Sequence, residues 1–174
     1  LDLMNKNIEL HSKDSFLKMH DAGKLAAEVL DYITDYVKPN VSTGYLNDLC
    51  HEFILKNNAI PAPLNYRGFP KSTCISVNHV VCHGIPGEKI LDNGDILNID
   101  ITVILDGWYG DSSRMFVAGK TNKKNWDLIK ATYECLNIGI KEAKPGNHLG
   151  DIGYKIQEYA ESKKYSVVRD FCGH

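Results

Sequence analysis

The 174-residue sequence lacks the features of membrane, secreted and nucleic-acid-binding proteins. No apolar run reaches the roughly 18 residues that suggest a membrane-spanning helix, and no secretory leader is recognisable. The net charge of −2 gives no electrostatic footprint for nucleic acid. The five cysteines are odd in number, scattered and without a Cys-x-x-Cys pair, which is typical of reduced thiols in a cytoplasmic protein.

Several catalytic signatures are also missing. The sequence has no serine nucleophile elbow, no phosphate loop, no dinucleotide fingerprint and no His-Glu-x-x-His zinc helix. Its length allows one domain with a substantial core. The candidates to carry chemistry are Asp100, Asp111 and His83, and carboxylates with imidazoles suit Mn, Fe, Co or Zn. His174 joins them only through the family resemblance given below.

Apolar residues at helical spacing predict four amphipathic helices. We expect them over 15–37, about 43–57, about 126–143 and 149–163. The apolar stripe of the first includes Phe16 and Met19, and that of the third includes Trp126, Tyr133 and Ile140. Four histidines fall on the polar faces or at the starts of helices and are expected to be solvated: His11, His20, His51 and His148.

Residues 97–117 predict a β-hairpin. Two apolar runs meet at Asp106-Gly107, and Asp-Gly is a strong hairpin signal because both turn positions need positive φ. A two-residue turn pairs Leu105 with Trp108, and the ladder then places Thr102 opposite Asp111.

The hairpin carries one carboxylate in each strand. Because Asp100 shares a face with Thr102, it becomes a diagonal neighbour of Asp111, with Cβ atoms within about 7–8 Å. A charge in an apolar strand is costly unless it is paired or binds a metal. The spacing therefore suggests a shared metal, with two solvated or hydrogen-bonded carboxylates as the alternative.

The other sheet-like segments are shorter. Residues 73–77 form a strand-like run, and residues 166–174 begin another. Between the second helix and the first of these runs, the segment 60–71 contains three prolines and is expected to be a surface or cleft-lining loop, not a strand.

An internal repeat relates two helix pairs. Val37–Asn58 matches Ala143–Lys164 at a shift of 106 residues, with Lys-Pro aligned on Lys-Pro. We interpret this as two copies of a helix–Lys-Pro–helix unit, in a first half of about 13–119 and a partial second half of about 122–174. Two unrelated amphipathic pairs that share Lys-Pro by chance are the alternative.

Three segments carry a family resemblance. YRGFPKSTCISVNHVVCHGIPG, NGDILNIDITVILDGWYGDSSRMFVAGK and SVVRDFCGH closely resemble type I methionine aminopeptidases, and the resemblance covers nearly the whole chain. It implies an α/β (α+β) fold of the pita-bread type, in which two pseudo-symmetric halves surround a dinuclear metal site. The whole chain, 1–174, would be one catalytic domain.

The resemblance also implies residue roles. Asp100 and Asp111 would be metal ligands, with Asp111 bridging both ions, and His174 would be a third ligand. His83 would be catalytic, contacting substrate near the scissile amide and helping proton movement.

A pocket for the methionine side chain is implied as well. Tyr66, Phe69 and Cys74 match its lining, where soft and aromatic contacts suit a thioether. Two departures alter the expected rim: Arg67 stands where relatives often have His, and Pro63 stands where a pocket Cys can occur.

The implied activity is removal of the initiator methionine from nascent polypeptides by hydrolysis assisted by two divalent ions, drawn from Co, Mn, Fe, Zn or Ni. We expect a cytoplasmic monomer near the ribosome exit region, without nucleic-acid or membrane partners. The alternatives are another pita-bread peptidase of the Xaa-Pro aminopeptidase type and a non-catalytic binding module.

The family's remaining active-site groups lie beyond Cys-Gly-His. They are a second histidine and two glutamates, and the sequence stops at His174. We therefore expect a chain truncated in its second half that alone binds metal weakly and is inactive or weakly active.

Overall fold

The computed structural model describes residues 10–171. Four helices and four strands occur in this part of the chain, which divides into two compact units after Lys120. The elements are α1 (Lys13–Thr34), α2 (Thr43–Lys56), β1 (Ile60–Pro61), β2 (Cys74–Val77), β3 (Ile96–Leu105), β4 (Trp108–Val117), α3 (Lys123–Glu142) and α4 (Leu149–Ser162).

The hairpin β3–β4 forms in the predicted register. Leu105 pairs with Trp108, and Thr102 pairs with Asp111. Asp106 and Gly107 have φ of 49° and 83°, as a two-residue turn with positive φ at both positions requires. The local Asp-Gly signal was therefore sufficient to fix the pairing of all ten residues in each strand.

Two short strands share the other edge of β3. β1 pairs antiparallel with its carboxyl-terminal half, and β2 pairs antiparallel with its amino-terminal half. The prediction that 60–71 contains no strand was wrong for Ile60 and Pro61, because an edge position leaves the proline without a hydrogen bond to donate. A 3-10 turn, Tyr66–Gly68, follows in the same segment.

The first unit is a sheet covered on one face by α1 and α2. Alternate residues of β3 are completely buried against these helices: Leu97, Ile99, Ile101 and Val103. Burial of one face of the strand is the expected consequence of its period-two pattern.

Helix α1 is capped by Ser12, whose side chain accepts a hydrogen bond from the Ser15 amide. Its buried stripe runs from Ala22 to Ile33. Phe16 and Met19, predicted to be on this stripe, are 62% and 43% exposed. They precede the first buried residue of the helix.

The end of α1 was predicted three residues too late, at Val37 instead of Thr34. The last turn tightens, because the Tyr36 and Val37 amides donate to the carbonyls of Ile33 and Thr34. Such i→i+3 bonds are common where a helix ends.

Gly110 allows β4 to approach α1 closely. A Cβ at this position would lie 2.1 Å from the carbonyl oxygen of Ala22. Four residues further along β4 and on the same face of the sheet, Arg114 donates to Asp31 of α1 at 2.8 Å. The close packing at Gly110 and the surface ion pair of Arg114 with Asp31 thus both hold α1 against β4.

The second unit contains α3 and α4. The small residues Ala131 and Gly139 are the buried positions of α3, and Gly139 packs against Ile156 and Ile152 of α4. The predicted stripe of α3 is largely exposed, including Tyr133 at 63%. The prediction chose the large apolar residues, whereas close helix packing uses the small ones.

The bounds of α2 and α4 support the helix alignment of the internal repeat. Both ends of α4 lie 106 residues after the corresponding ends of α2.

The predicted β-type run after α4 forms no strand in the described residues 166–171, where it has no strand partner. Its last three residues lie outside the described part of the chain.

One further structural finding concerns membranes. Within residues 10–171, no helix combines the length and the apolar character needed to cross a bilayer.

Candidate metal-binding face

The face of the sheet turned away from α1 and α2 is polar. Strand alternation and register place these side chains on it: Cys74, Ser76, Asn98, Asp100, Thr102, Asp111 and Ser113. Polar residues from three strands therefore meet on one surface, opposite the apolar core.

Asp100 and Asp111 are diagonal neighbours on this face. Asp100 pairs with Ser113, and Asp111 pairs with Thr102 two residues along the same strand. Asn98 and Ser113 are diagonal neighbours in the same way, each two residues along its strand from Asp100 and Asp111, and Asn98 Nδ2 lies 3.2 Å from Ser113 Oγ. Side chains on this diagonal therefore converge, as the predicted geometry requires.

Asp100 is the more enclosed of the two carboxylates. Its Oδ1 atom is buried, whereas Asp111 is exposed. Cys74 lies directly opposite Asp100 on β2. Burial, and then the electrostatic influence of Asp100, Cys82 and Asp111, raises the pKa of the Cys74 thiol to about 11. Cys74 is thus a protonated, uncharged neighbour of the two carboxylates at neutral pH.

The segment 62–73 is anchored beside the carboxylates at both ends. It leaves the sheet where the Ala62 amide donates to the Thr102 carbonyl at 2.9 Å, and it returns where Cys74 pairs with Asp100. Tyr66 and Phe69, two predicted pocket residues, lie within it. The Phe69 amide donates to the Tyr66 carbonyl at 2.9 Å, while the Tyr66 side chain is 64% exposed.

His83 lies next to the free edge of β2. The Ile75 amide donates to the Gly84 carbonyl at 2.9 Å, and the Gly84 amide donates to Ser76 Oγ at 3.1 Å. A Cβ at Gly84 would lie 2.2 Å from the Ile75 carbonyl oxygen, so only glycine fits. His83 itself has φ of 52° and an exposed side chain, which is an uncommon conformation for a histidine.

The third predicted ligand, His174, lies outside the described residues. Within residues 10–171, no group of three His, Cys, Asp or Glu side chains is arranged to hold a metal ion. The described part of the chain thus offers a pair of carboxylates. That pair fits a divalent metal in chemistry, because carboxylates are the ligands of hard and borderline divalent ions and these two converge on one face.

Sequence reasoning missed two polar residues of α2 that contact this region. Asn47 and His51, one helical turn apart, hydrogen-bond the backbone and side chains of Ser72 and Thr73. The prediction that His51 is solvated was wrong, since it is half-buried with Nδ1 2.8 Å from Ser72 Oγ. An i, i+4 polar pair beside the apolar stripe was the available signal.

The sequence matches the model of metallopeptidase family M24 over residues 17–174. The chain belongs to this family. It is 64% identical over 167 residues to the methionine aminopeptidase of Rickettsia prowazekii and 48% identical over 169 residues to that of Escherichia coli. In each case the match covers 96% of this chain and 64% of the relative, so the M24 chain spans less than two thirds of their length.

Solved structures agree with this assignment. The methionine aminopeptidase of R. prowazekii superposes with a TM-score of 0.95, over 97% of this chain and 68% of that one. An Xaa-Pro dipeptidase from Bacillus anthracis superposes with a TM-score of 0.76 at 17% identity, over 90% and 42%. The second likeness shows the fold alone. Together they confirm the predicted pita-bread fold, and they do not favour the Xaa-Pro alternative.

Proposed function

We propose that this M24 chain contributes metal ligands and substrate contacts to the chemistry of a methionine aminopeptidase, the removal of an N-terminal methionine by metal-assisted hydrolysis. The observation that most supports this proposal is that Asp100 and Asp111 are diagonal neighbours on the polar face, in a chain 64% identical to a methionine aminopeptidase. A protein that merely used this face for binding would have no need of two carboxylates placed to share a cation.

Asp100 and Asp111 would hold two divalent ions, with His174 as a further ligand. When bound, such ions polarise a carbonyl and activate water. The Asp100 backbone is held rigidly, because its strand is paired on both sides at this position. Burial of Oδ1 restricts the carboxylate as well. The exposed Asp111 keeps the opposite side of the site open to a peptide.

His83 would orient the substrate and carry a proton. An imidazole can accept a proton at one ring nitrogen and release it near neutral pH, which suits the departing amine of a cleaved peptide. The contacts of Gly84 with Ile75 and Ser76 hold the backbone next to His83. Tyr66, Phe69 and Cys74 would line the methionine pocket, with the neutral Cys74 thiol as a soft contact for the thioether.

The proposal extends to the physiological setting of the chain. The relatives imply a peptide with N-terminal methionine as substrate, and we propose nascent chains near the ribosome exit as its source. We also propose a cytoplasmic monomer. The scattered cysteines, free in the described part of the chain, are consistent with a reducing compartment.

A segment exchange tests the proposed activity. Residues 10–171 would replace the matching segment of the R. prowazekii enzyme, and methionine release from a Met-Gly peptide would be measured with Mn²⁺ or Co²⁺. We expect release within about tenfold of the parent enzyme, because the fold and the two carboxylates are shared.

The exchange has matched controls. Asp100→Asn or Asp111→Asn in the same chimera should abolish release, whereas Asp106→Asn in the hairpin turn should not. A well-folded chimera without methionine release, or with release unaffected by both site substitutions, would refute the proposed function.

A further inference from the structure

Helix α2 makes a polar contact with the segment that enters the candidate site. Asn47 Oδ1 accepts three hydrogen bonds, from the Ser72 amide at 3.0 Å and from the amide and hydroxyl of Thr73 at 3.2 Å each. All three residues are at least 95% buried. One turn later, His51 Nδ1 lies 2.8 Å from Ser72 Oγ.

This contact lies directly beside residues of the candidate site. Ser72 and Thr73 directly precede Cys74, which pairs with Asp100 across the sheet. They also end the segment 62–73, which carries Tyr66 and Phe69. A shift of the Ser72–Thr73 backbone would therefore move the Cys74 thiol and the end of the segment relative to the carboxylates.

The amino-terminal end of α2 holds the other side of the same region. The Gly44 amide donates to the Gly87 carbonyl at 2.8 Å, and the Gly87 amide donates to Thr43 Oγ1 at 3.0 Å. Gly87 follows the His83-Gly84 turn by three residues. One helix thus fixes the segment before β2 and the segment after the turn, which lie on either side of the strand that carries Cys74.

We propose that Asn47 and His51 are positioning residues that set the place of Cys74 and of the segment 62–73 against Asp100. The proposal rests on the proposed function, because it assumes that this face is the substrate and metal site. The physical reason is that three donors converge on one buried acceptor. Removing that acceptor leaves buried N–H and O–H groups unsatisfied, which is costly enough to open the segment locally.

A matched pair of substitutions separates positioning from packing. Asn47→Leu keeps the size of the side chain and removes the acceptor. Asn47→Asp keeps an acceptor for all three donors, but it replaces the 3.1 Å bond from Nδ2 to Asp48 by a second, buried carboxylate facing Asp48. Ile54→Val, in the same helix and fully buried in the apolar core, serves as a stability control that leaves these hydrogen bonds in place.

Two readouts on the full 174-residue chain test the proposal. The first is the rate at which iodoacetamide alkylates Cys74, followed by peptide mass spectrometry. The second is the affinity and visible absorption spectrum of bound Co²⁺. We expect Asn47→Leu to raise the alkylation rate about tenfold and to alter the Co²⁺ spectrum. Asn47→Asp, which keeps the acceptor, should raise the rate less than Asn47→Leu does, and Ile54→Val should stay within about twofold of the parent chain.

The outcomes are separable. Equal Cys74 rates in Asn47→Leu and Ile54→Val would overturn the positioning role. If the parent chain binds no Co²⁺, the metal assignment of the proposed function fails, and the alkylation rates still decide the positioning role. Should Asn47→Leu not fold, His51→Leu against His51→Gln gives the same comparison at the half-buried end of the network, and equal rates there would also overturn it.

Discussion

Asp111 lies one diagonal step from Asp100 on the polar face of the sheet, because the β3–β4 ladder pairs it with Thr102. The relationship depends on a two-residue turn at Asp106-Gly107, and a shift by one residue would move one carboxylate into the apolar core. The register of a single hairpin therefore determines whether the chain can offer two carboxylates to one site.

The close approach of β4 to α1 predicts a large effect at Gly110. A Cβ there would meet the Ala22 carbonyl at 2.1 Å and the Gly23 amide nitrogen at 2.6 Å, and neither backbone atom can move without shifting α1. Gly110→Ala should lower the free energy of unfolding by about 3 kcal/mol or more in urea denaturation.

Gly23→Ala is the matched control for Gly110. It lies in α1 across the same contact, but a Cβ at Gly23 would meet nothing within 4 Å. This substitution should stabilise the chain by about 0.5–1 kcal/mol, because alanine is the better helix former. Similar losses in both variants would show that the strand and the helix are not in the described contact.

Gly84, in the turn that contains His83, is a second position where only glycine fits, so adding a side chain there should also lower stability. Gly84→Ala would place a Cβ 2.2 Å from the Ile75 carbonyl oxygen, so the turn must move away from β2. We expect a loss of about 1–3 kcal/mol and a changed NMR signal for the His83 ring. Gly87→Ala, where a Cβ has open space, should leave both quantities nearly unchanged. An unchanged His83 signal in Gly84→Ala would contradict the described turn.

The buried thiol of Cys50 predicts how stability depends on alkaline pH. Burial raises its pKa to about 12, well above the ordinary thiol value of about 8.5. Because the folded state holds this proton more tightly than the unfolded chain, its contribution is complete below about pH 8.5. It is lost as the pH rises towards the folded-state pKa, with a slope approaching about 1.4 kcal/mol per pH unit.

Urea denaturation between neutral pH and about pH 10.5 measures this slope. Cys50→Ala should flatten the alkaline decline, since it removes the titrating group. Ile54→Val, in the same buried cluster, should lower stability at every pH by about 1 kcal/mol and leave the slope unchanged. Equal slopes in the parent chain and Cys50→Ala would refute the assigned cause.

Local signals predicted more of this molecule than long-range ones. The hairpin register follows from Asp106-Gly107 and strand alternation, and the positions of α2 and α4 follow from apolar periodicity. Each of these features is determined by residues close together in the sequence, so one chain was sufficient to predict them.

The errors have a common physical origin. The contact of Asn47 with Ser72 and Thr73 joins residues 25 and 26 positions apart, and the local i, i+4 pair of Asn47 and His51 does not indicate which segment it contacts. The stripe of α3 was assigned from its large apolar residues, although Gly139 makes the close contact with α4. In both cases tertiary packing, and not periodicity, decides which side of a helix is buried.

The central claim is that Asp100 and Asp111 together form one binding site for divalent metal. Calorimetric titration of the 174-residue chain with Mn²⁺ tests this claim most directly. The account predicts saturable binding that is abolished by Asp100→Asn and by Asp111→Asn, with the melting temperature little changed and with Asp106→Asn binding like the parent chain. Binding that persists in both site variants, or its absence from the folded parent chain, would contradict the account.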